Sequence, residues 1–154
     1  MVQQQLHRAV QQYGDMIYKI AMVILRNPDD AEDAVQNTFL RYYRKAPAFE
    51  SEEHEKAWLI RCATNVAKSL RATALRHAHE DLTIAANAET PKSILPELLY
   101  LLPVSYRIVL QLRYVEGYSA EEIARVLGEK PAAVRKRLER ARTRAREIYE
   151  KEFV

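Results

Sequence analysis

Residues 118–149 read YSAEEIARVLGEKPAAVRKRLERARTRAREIY, and their order of caps, breakers and charges decides the fold. Ser119, followed three residues later by Glu122, is a capping box: the Ser oxygen takes an orphan amide of the first turn and the Glu reaches back. Ile123, Ala124 and Leu127 form that helix's apolar face, Gly128 makes a tight turn, and Pro131 suits the first turn of the next helix. On the second helix Val134, Leu138, Ala141, Ala145 and Ile148 recur every three or four residues, leaving Arg135, Lys136, Glu139, Arg140 and Thr143 on the other side. A short Gly turn between two helices, the second of them basic, is a helix-turn-helix, whose second helix can enter the DNA major groove.

The exposed set has the chemistry of base reading. Arg and Lys donate to the guanine edge, and Glu accepts from cytosine. Arg137, Arg142 and Arg144 lie toward the flanks, where they suit phosphates, which position without specifying. Charge is concentrated here: between Lys130 and Arg146 eight cations are opposed only by Glu139, whereas Asp29 to Asp33 and Glu50 to Glu55 are acidic. A basic run alone reads as a solvated face; the capping box, turn glycine and apolar stripe together favour DNA binding.

Outward from this motif the chain stays helical. A helix from Val104 to Val115 should carry Ile108, Val109, Leu112 and Val115 inward and end at Gly117, and a shorter apolar segment, Ile94 to Leu102, stops at Pro103. Near the start, Leu6, Val10, Tyr13, Ile17, Ile20, Ala21, Ile24 and Leu25 make one stripe. Asn27-Pro28 breaks it, and Asp29, Asp30, Glu32 and Asp33 favour the first turn of a second helix reaching about Lys45. Ala46 to Phe49 interrupts the pattern, and residues 50–56 suit a loop or an exposed helix start. From Ala57 the stripe resumes with Trp58, Leu59, Cys62, Ala63, Val66 and Leu70, so a third long helix reaches about Leu75. Residues 76–90 lose the stripe and read as a linker.

The chain has 154 residues, 48% of them hydrophobic, a net charge of +3 and only three Gly, which favours an all-α fold over a sheet. Cys62 is the only cysteine, so neither an intrachain disulfide nor a thiolate metal cluster can form. Neither a secretory signal pattern nor an apolar run of membrane-spanning length is present, so a cytoplasmic protein without membrane insertion is expected. His7, His54, His77 and His79 are scattered, and no phosphate-cradling Gly loop or nucleophile motif occurs, so neither an enzyme nor a cofactor is expected.

YGDMIYKIAMVILRNPDDAEDAVQNTFLRYYRK (13–45), KAWLIRCATNVAKSLR (56–71) and LLPVSYRIVLQLRYVEGYSAEEIARVLGEKPAAVRKRLERARTRARE (101–147) resemble, in order, regions 2.1–2.2, 2.3–2.4 and 4 of extracytoplasmic-function (ECF) sigma factors, group 4 of the sigma-70 family. The resemblance implies two small helical domains: a region 2 domain over residues 1–76, a flexible linker over 77–93, and a region 4 helix-turn-helix domain over 94–154. It implies a non-catalytic alternative sigma factor, with core RNA polymerase (the beta-prime clamp helices and beta flap), promoter DNA and an anti-sigma factor as partners.

Carried over residue by residue, Asp33, Gln36, Asn37 and Leu40, with Arg41 nearby, would face polymerase, while Val35, Phe39 and Tyr42 turn inward. The family usually has Glu where Asn37 stands. The minus-ten element falls to the third helix and its preceding loop: Asn65, Lys68, Ser69 and Arg71, with Phe49 where the family builds a pocket for an extruded base; Asp is common where Ser69 lies. Trp58 is expected in the core. The minus-thirty-five element falls to Arg135, Lys136, Glu139 and Arg140, with Arg137, Arg142, Arg144 and Ser119 beside them; Glu139 has the alternative of pairing with Lys136 or Arg135. A stand-alone helix-turn-helix regulator would share the basic helix but need no polymerase contact.

Overall fold

The computed structural model describes residues 2–80 and 94–152, with side chains over 3–76 and 97–152. These residues form seven α-helices and no strand, in two compact units, Met1–Ala88 and Glu89–Val154.

In the first unit α1 (Val2–Leu25), α2 (Pro28–Lys45) and α3 (Glu52–Glu80) pack pairwise. The α1–α2 corner is tight. Arg26 takes a left-handed conformation (φ 58°) with its amide on the Met22 carbonyl at 2.9 Å, and Asn27 then caps α2, its Oδ1 accepting from the amides of Asp29 (2.9 Å) and Asp30 (3.1 Å). Ala9, Tyr13, Ile17, Phe39, Tyr42, Leu59 and Ala63 form the core, with Val35, Phe49 and Trp58 packed against it.

Two expectations fail here, and one left open is settled. Ala9 takes the buried position of the α1 stripe while Val10 beside it is 41% exposed, because the buried rows run 9–13–17 and 20–24. The third helix begins at Glu52, so most of residues 50–56 is the exposed helix start and not a loop: Ser51 Oγ accepts the His54 amide at 3.0 Å and so supplies a cap. It also continues past Leu75 to Glu80, so residues 77–80, expected in the linker, are helical; the rest of that segment, 81–93, lies outside the described residues. Helix α3 is buried on more than one side, since Ile60, Thr64 and Ala67 are enclosed as fully as Leu59, Ala63 and Val66.

In the second unit α4 (Ile94–Tyr100) and α5 (Val104–Leu110) pack on α7 (Pro131–Glu152), as does α6 (Ala120–Leu127). The helix expected to run evenly to Val115 instead widens into a π-helical turn over Gln111–Val115, with the Glu116 amide on the Gln111 carbonyl at 3.1 Å. The extra residue in that turn rotates Val115 outward, to 57% exposure, while Leu112 stays buried. Gly117, at φ 76°, then reverses the chain. Leu102, Ile108, Val109, Leu112, Ile123, Ala124, Val134, Leu138 and Ala141 make the core.

Candidate nucleic-acid interface

Helices α6 and α7 realise the expected motif. Ser119 Oγ accepts the Glu122 amide at 3.1 Å, and Glu122 Oε1 accepts the Ser119 amide at 3.1 Å. Because Ser119 accepts in this cap, its hydroxyl proton is left to donate outward. Gly128 (φ 71°) ends α6, its amide on the Ala124 carbonyl, and Pro131 opens α7. Val134, Leu138, Ala141 and Ile148 bury one side of α7, and Arg135, Lys136, Glu139, Arg140 and Thr143 are exposed on the other.

Most α7 arginines already have partners. Arg135 donates to Glu121 Oε1 on α6 at 2.7 Å, so Arg135 pairs across the turn and not with Glu139. The Glu121 carboxyl is held below the usual range by its own backbone amide and then by Arg135. Arg137 is half-buried and bridges to Glu129 at 2.7 Å, Arg144 lies 3.4 Å from Glu147, and Arg142 donates to the Tyr114 hydroxyl at 3.1 Å. Lys136, Glu139, Arg140, Thr143 and Arg144 share a shallow depression with Tyr106 of α5 and Glu147. Glu121 and Tyr106 were missed by reasoning from sequence, since their approach to α7 is set by helix packing.

A second surface lies in the first unit. Asp33, Gln36, Asn37, Leu40 and Arg41 are exposed along α2, Leu40 at 46%. Asn37, Leu40 and Arg41 line a groove against α3, where Ser69, Leu70 and Thr73 face them, and Arg44 and Lys45 complete its α2 wall. The groove continues past Trp58, Arg61, Cys62 and Asn65. Ser69 lines the first and Asn65 the second of these two adjoining depressions, which have Arg41 and Lys45 in common and together make a cationic trough; Lys68 is exposed beside it and Arg71, about 120° round the helix from Asn65, lines neither. Arg44, Lys45 and Arg61 were also missed, although the four-residue spacings Arg41–Lys45 and Arg61–Asn65 put each pair on one helix face. Burial pushes the Cys62 thiol up, against a smaller opposing pull from Arg41.

Phe49 is not a free ring. It stacks on Tyr42 (5.9 Å between centroids, 20° between planes) and meets Trp58 and His54 edge-on at 6.0 and 5.2 Å. Beneath this cluster lies Glu55, counted by sequence among an acidic, polar stretch but only 3% exposed. It accepts from Arg8 of α1 and from the Tyr42 hydroxyl, each at 2.6 Å. Burial pushes the Glu55 carboxyl up, but hydrogen bonds from Arg8, Tyr42 and Tyr13 and the Arg8 charge outweigh it and hold the carboxyl below its ordinary range.

No helix among the described residues is long and apolar enough to cross a membrane, and none of their His, Cys, Asp and Glu side chains group in threes that could hold a metal.

Residues 9–82 match the Sigma-70 region 2 family, and residues 92–144 match Sigma-70, region 4. The chain is 31% identical to the ECF RNA polymerase sigma factor SigE of Mycolicibacterium smegmatis over 92% of its own length, spanning 60% of that protein. It is 30% identical to the ECF RNA polymerase sigma-E factor of Haemophilus influenzae over 80% of its length and 78% of that protein. Among solved structures, the sigma factor RpoE crystallised with the anti-sigma factor NepR from Bartonella quintana shares the fold, with a TM-score of 0.76 at 22% identity over 96% of this chain and 98% of that one.

Proposed function

The chain belongs to the extracytoplasmic-function group of the sigma-70 family, and on that premise we propose that it binds core RNA polymerase and directs promoter-specific transcription initiation, itself catalysing nothing. The observation that carries this reading is the pairing, in one chain, of two different nucleic-acid surfaces. One is a rigid helix offering Arg135, Lys136, Glu139 and Arg140 to duplex base edges; the other is a trough walled by Arg41, Arg44, Lys45 and Arg61 around Asn65. A helix in the major groove reads the minus-thirty-five element, where Arg135 and Lys136 donate to guanine and Glu139 accepts from cytosine. Arg137, Arg142 and Arg144 serve phosphates, as does the outward proton of Ser119.

Single-stranded DNA needs the other geometry, a cationic channel with side chains that take unstacked bases. The α2–α3 trough supplies it for the minus-ten element, with Asn65 and Ser69 inside, Lys68 at its margin and Phe49 behind Trp58. Asp33, Gln36, Asn37, Leu40 and Arg41 form the docking face for the beta-prime clamp helices, where Asn37 brings an amide and no charge. The second unit takes the beta flap. An anti-sigma partner fits the same picture, since the structurally similar RpoE was crystallised with one. Such work places the protein in the cytoplasm.

Transcription by core polymerase from a random-promoter library tests the reading. Added protein should yield transcripts enriched for one pair of upstream elements; binding to DNA without any transcript would mark a stand-alone regulator.

A further inference from the structure

Glu55 is a charge in an expensive place. Taking the Glu55 carboxylate out of water is costly, and a well-packed apolar side chain in such a place is commonly as stable or more so, even with Arg8 reaching it from the surface. What the carboxylate adds is geometry: in the first turn of α3, where the helix dipole favours it, it ties α1 through Arg8 and α2 through Tyr42 with two charge-assisted bonds of 2.6 Å. The tie leads to the trough in two steps. The Tyr42 ring stacks on Phe49 and meets Trp58 edge-on at 6.1 Å, and Trp58 lines the trough with Arg61, Cys62 and Asn65. The loop carrying Phe49 is pinned from its far side as well, with the Glu50 amide on His54 Nδ1 at 3.2 Å and the Glu55 amide on the Ser51 carbonyl at 3.1 Å.

We propose that Glu55, bridged to Arg8 and Tyr42, is a positioning residue for minus-ten recognition: it sets the aromatic wall of Tyr42, Phe49 and Trp58 against which Asn65 reads a base. The inference rests on the minus-ten role of the trough. Glu55 touches no DNA; it acts through Tyr42, and its loss blurs base preference more than it weakens binding.

The test uses the full chain with core polymerase on promoters permuted one base at a time in each element. Glu55→Ala should reduce the ratio of transcription between preferred and substituted minus-ten bases about tenfold, the effect of losing one hydrogen bond to a charged group. The same ratios at the minus-thirty-five element should stay within about twofold, as expected for a site that shares no partner with Glu55. Glu55→Gln, which keeps an acceptor for Tyr42, should restore most of the minus-ten ratio. Tyr42→Phe, which keeps the ring, carries the test if Glu55→Ala does not fold. Unchanged minus-ten ratios in a folded variant overturn the proposal, and so does an equal loss at both elements, the mark of a merely structural residue. Absence of transcripts with the unaltered protein would instead overturn the functional reading beneath it.

Discussion

The Glu55 cluster gives the first unit a pH window whose alkaline edge can be worked out. Burial, then the hydrogen bond to Glu55 and its charge, push the Tyr42 phenol up to about 12. In an unfolded chain the phenol titrates near 10. A group raised on folding contributes stability that is complete below its unfolded pKa and is lost as pH rises through its folded one. The rise from about 10 to about 12 is worth about 2.7 kcal/mol, lost between about pH 10 and pH 12. Glu55 acts with the opposite sign: its depressed carboxyl contributes stability present above the ordinary carboxylate range and lost as pH falls through its own lowered value. Trp58 is the only tryptophan and lies in this cluster, so its fluorescence during urea unfolding reports the first unit selectively. Stability should be flat at neutral pH and fall on both sides. Tyr42→Phe should lose about 2 kcal/mol at neutral pH, as for a hydrogen bond to a charged group, and with it most of the alkaline fall. Tyr13, also raised, chiefly by burial and then by Glu55, accounts for what remains. An alkaline fall of the same size in Tyr42→Phe and the unaltered chain would refute this account.

Arg135→Ala should cost about 1 to 3 kcal/mol at one base pair of the minus-thirty-five element, whereas Arg144→Ala should weaken binding alike on all sequences; fluorescence-anisotropy titrations on permuted duplexes separate the two. Ser119→Ala removes the α6 cap and should destabilise the second unit by about 1 kcal/mol, read as faster hydrogen exchange in the first turn of α6. Asp33→Ala and Gln36→Ala should lower affinity for core polymerase, measured by surface plasmon resonance, while leaving the Trp58 unfolding curve in place.

What could be read from sequence was what depends on neighbours along the chain. The α6 cap joins Ser119 to Glu122, the turn is one Gly, and the α7 stripe repeats every three or four residues, so each signal is complete within a few positions. The two-unit all-helical architecture follows from such stripes and their breaks. Some of the misses depend on partners far away in sequence. Glu55 looks like surface charge until Arg8, 47 residues earlier, and Tyr42 are folded against it. Val115 could not be placed without the π-helical turn, for which Gln111–Val115 carries no Gly or Pro signal. The start of α3 was left between a loop and an exposed helix start because Ser51 caps a first turn of Glu52, Glu53, His54 and Glu55, a composition that suits either. Within the candidate sites, the exposed faces were legible from helical period, but the trough between α2 and α3, with Arg44, Lys45 and Arg61, exists only once two helices are side by side.

The same distinction bears on the DNA-reading role proposed for α7. Between Lys130 and Arg146 the only carboxylate in sequence is Glu139, but folding brings Glu121 and Glu129 beside Arg135 and Arg137 and sets Glu147 against Arg144. Exposed pairs of this kind are worth little in water, so DNA can displace them at small cost. Displacement is nonetheless an exchange of one oxygen acceptor for another. A phosphate and a guanine edge can each hold Arg135 through two bonds, where Glu121 holds it through one, but only the guanine edge ties that geometry to a base. Lys136 and Arg140, exposed on the same face, are in none of these three pairs, so they can engage any phosphate at first encounter without breaking one.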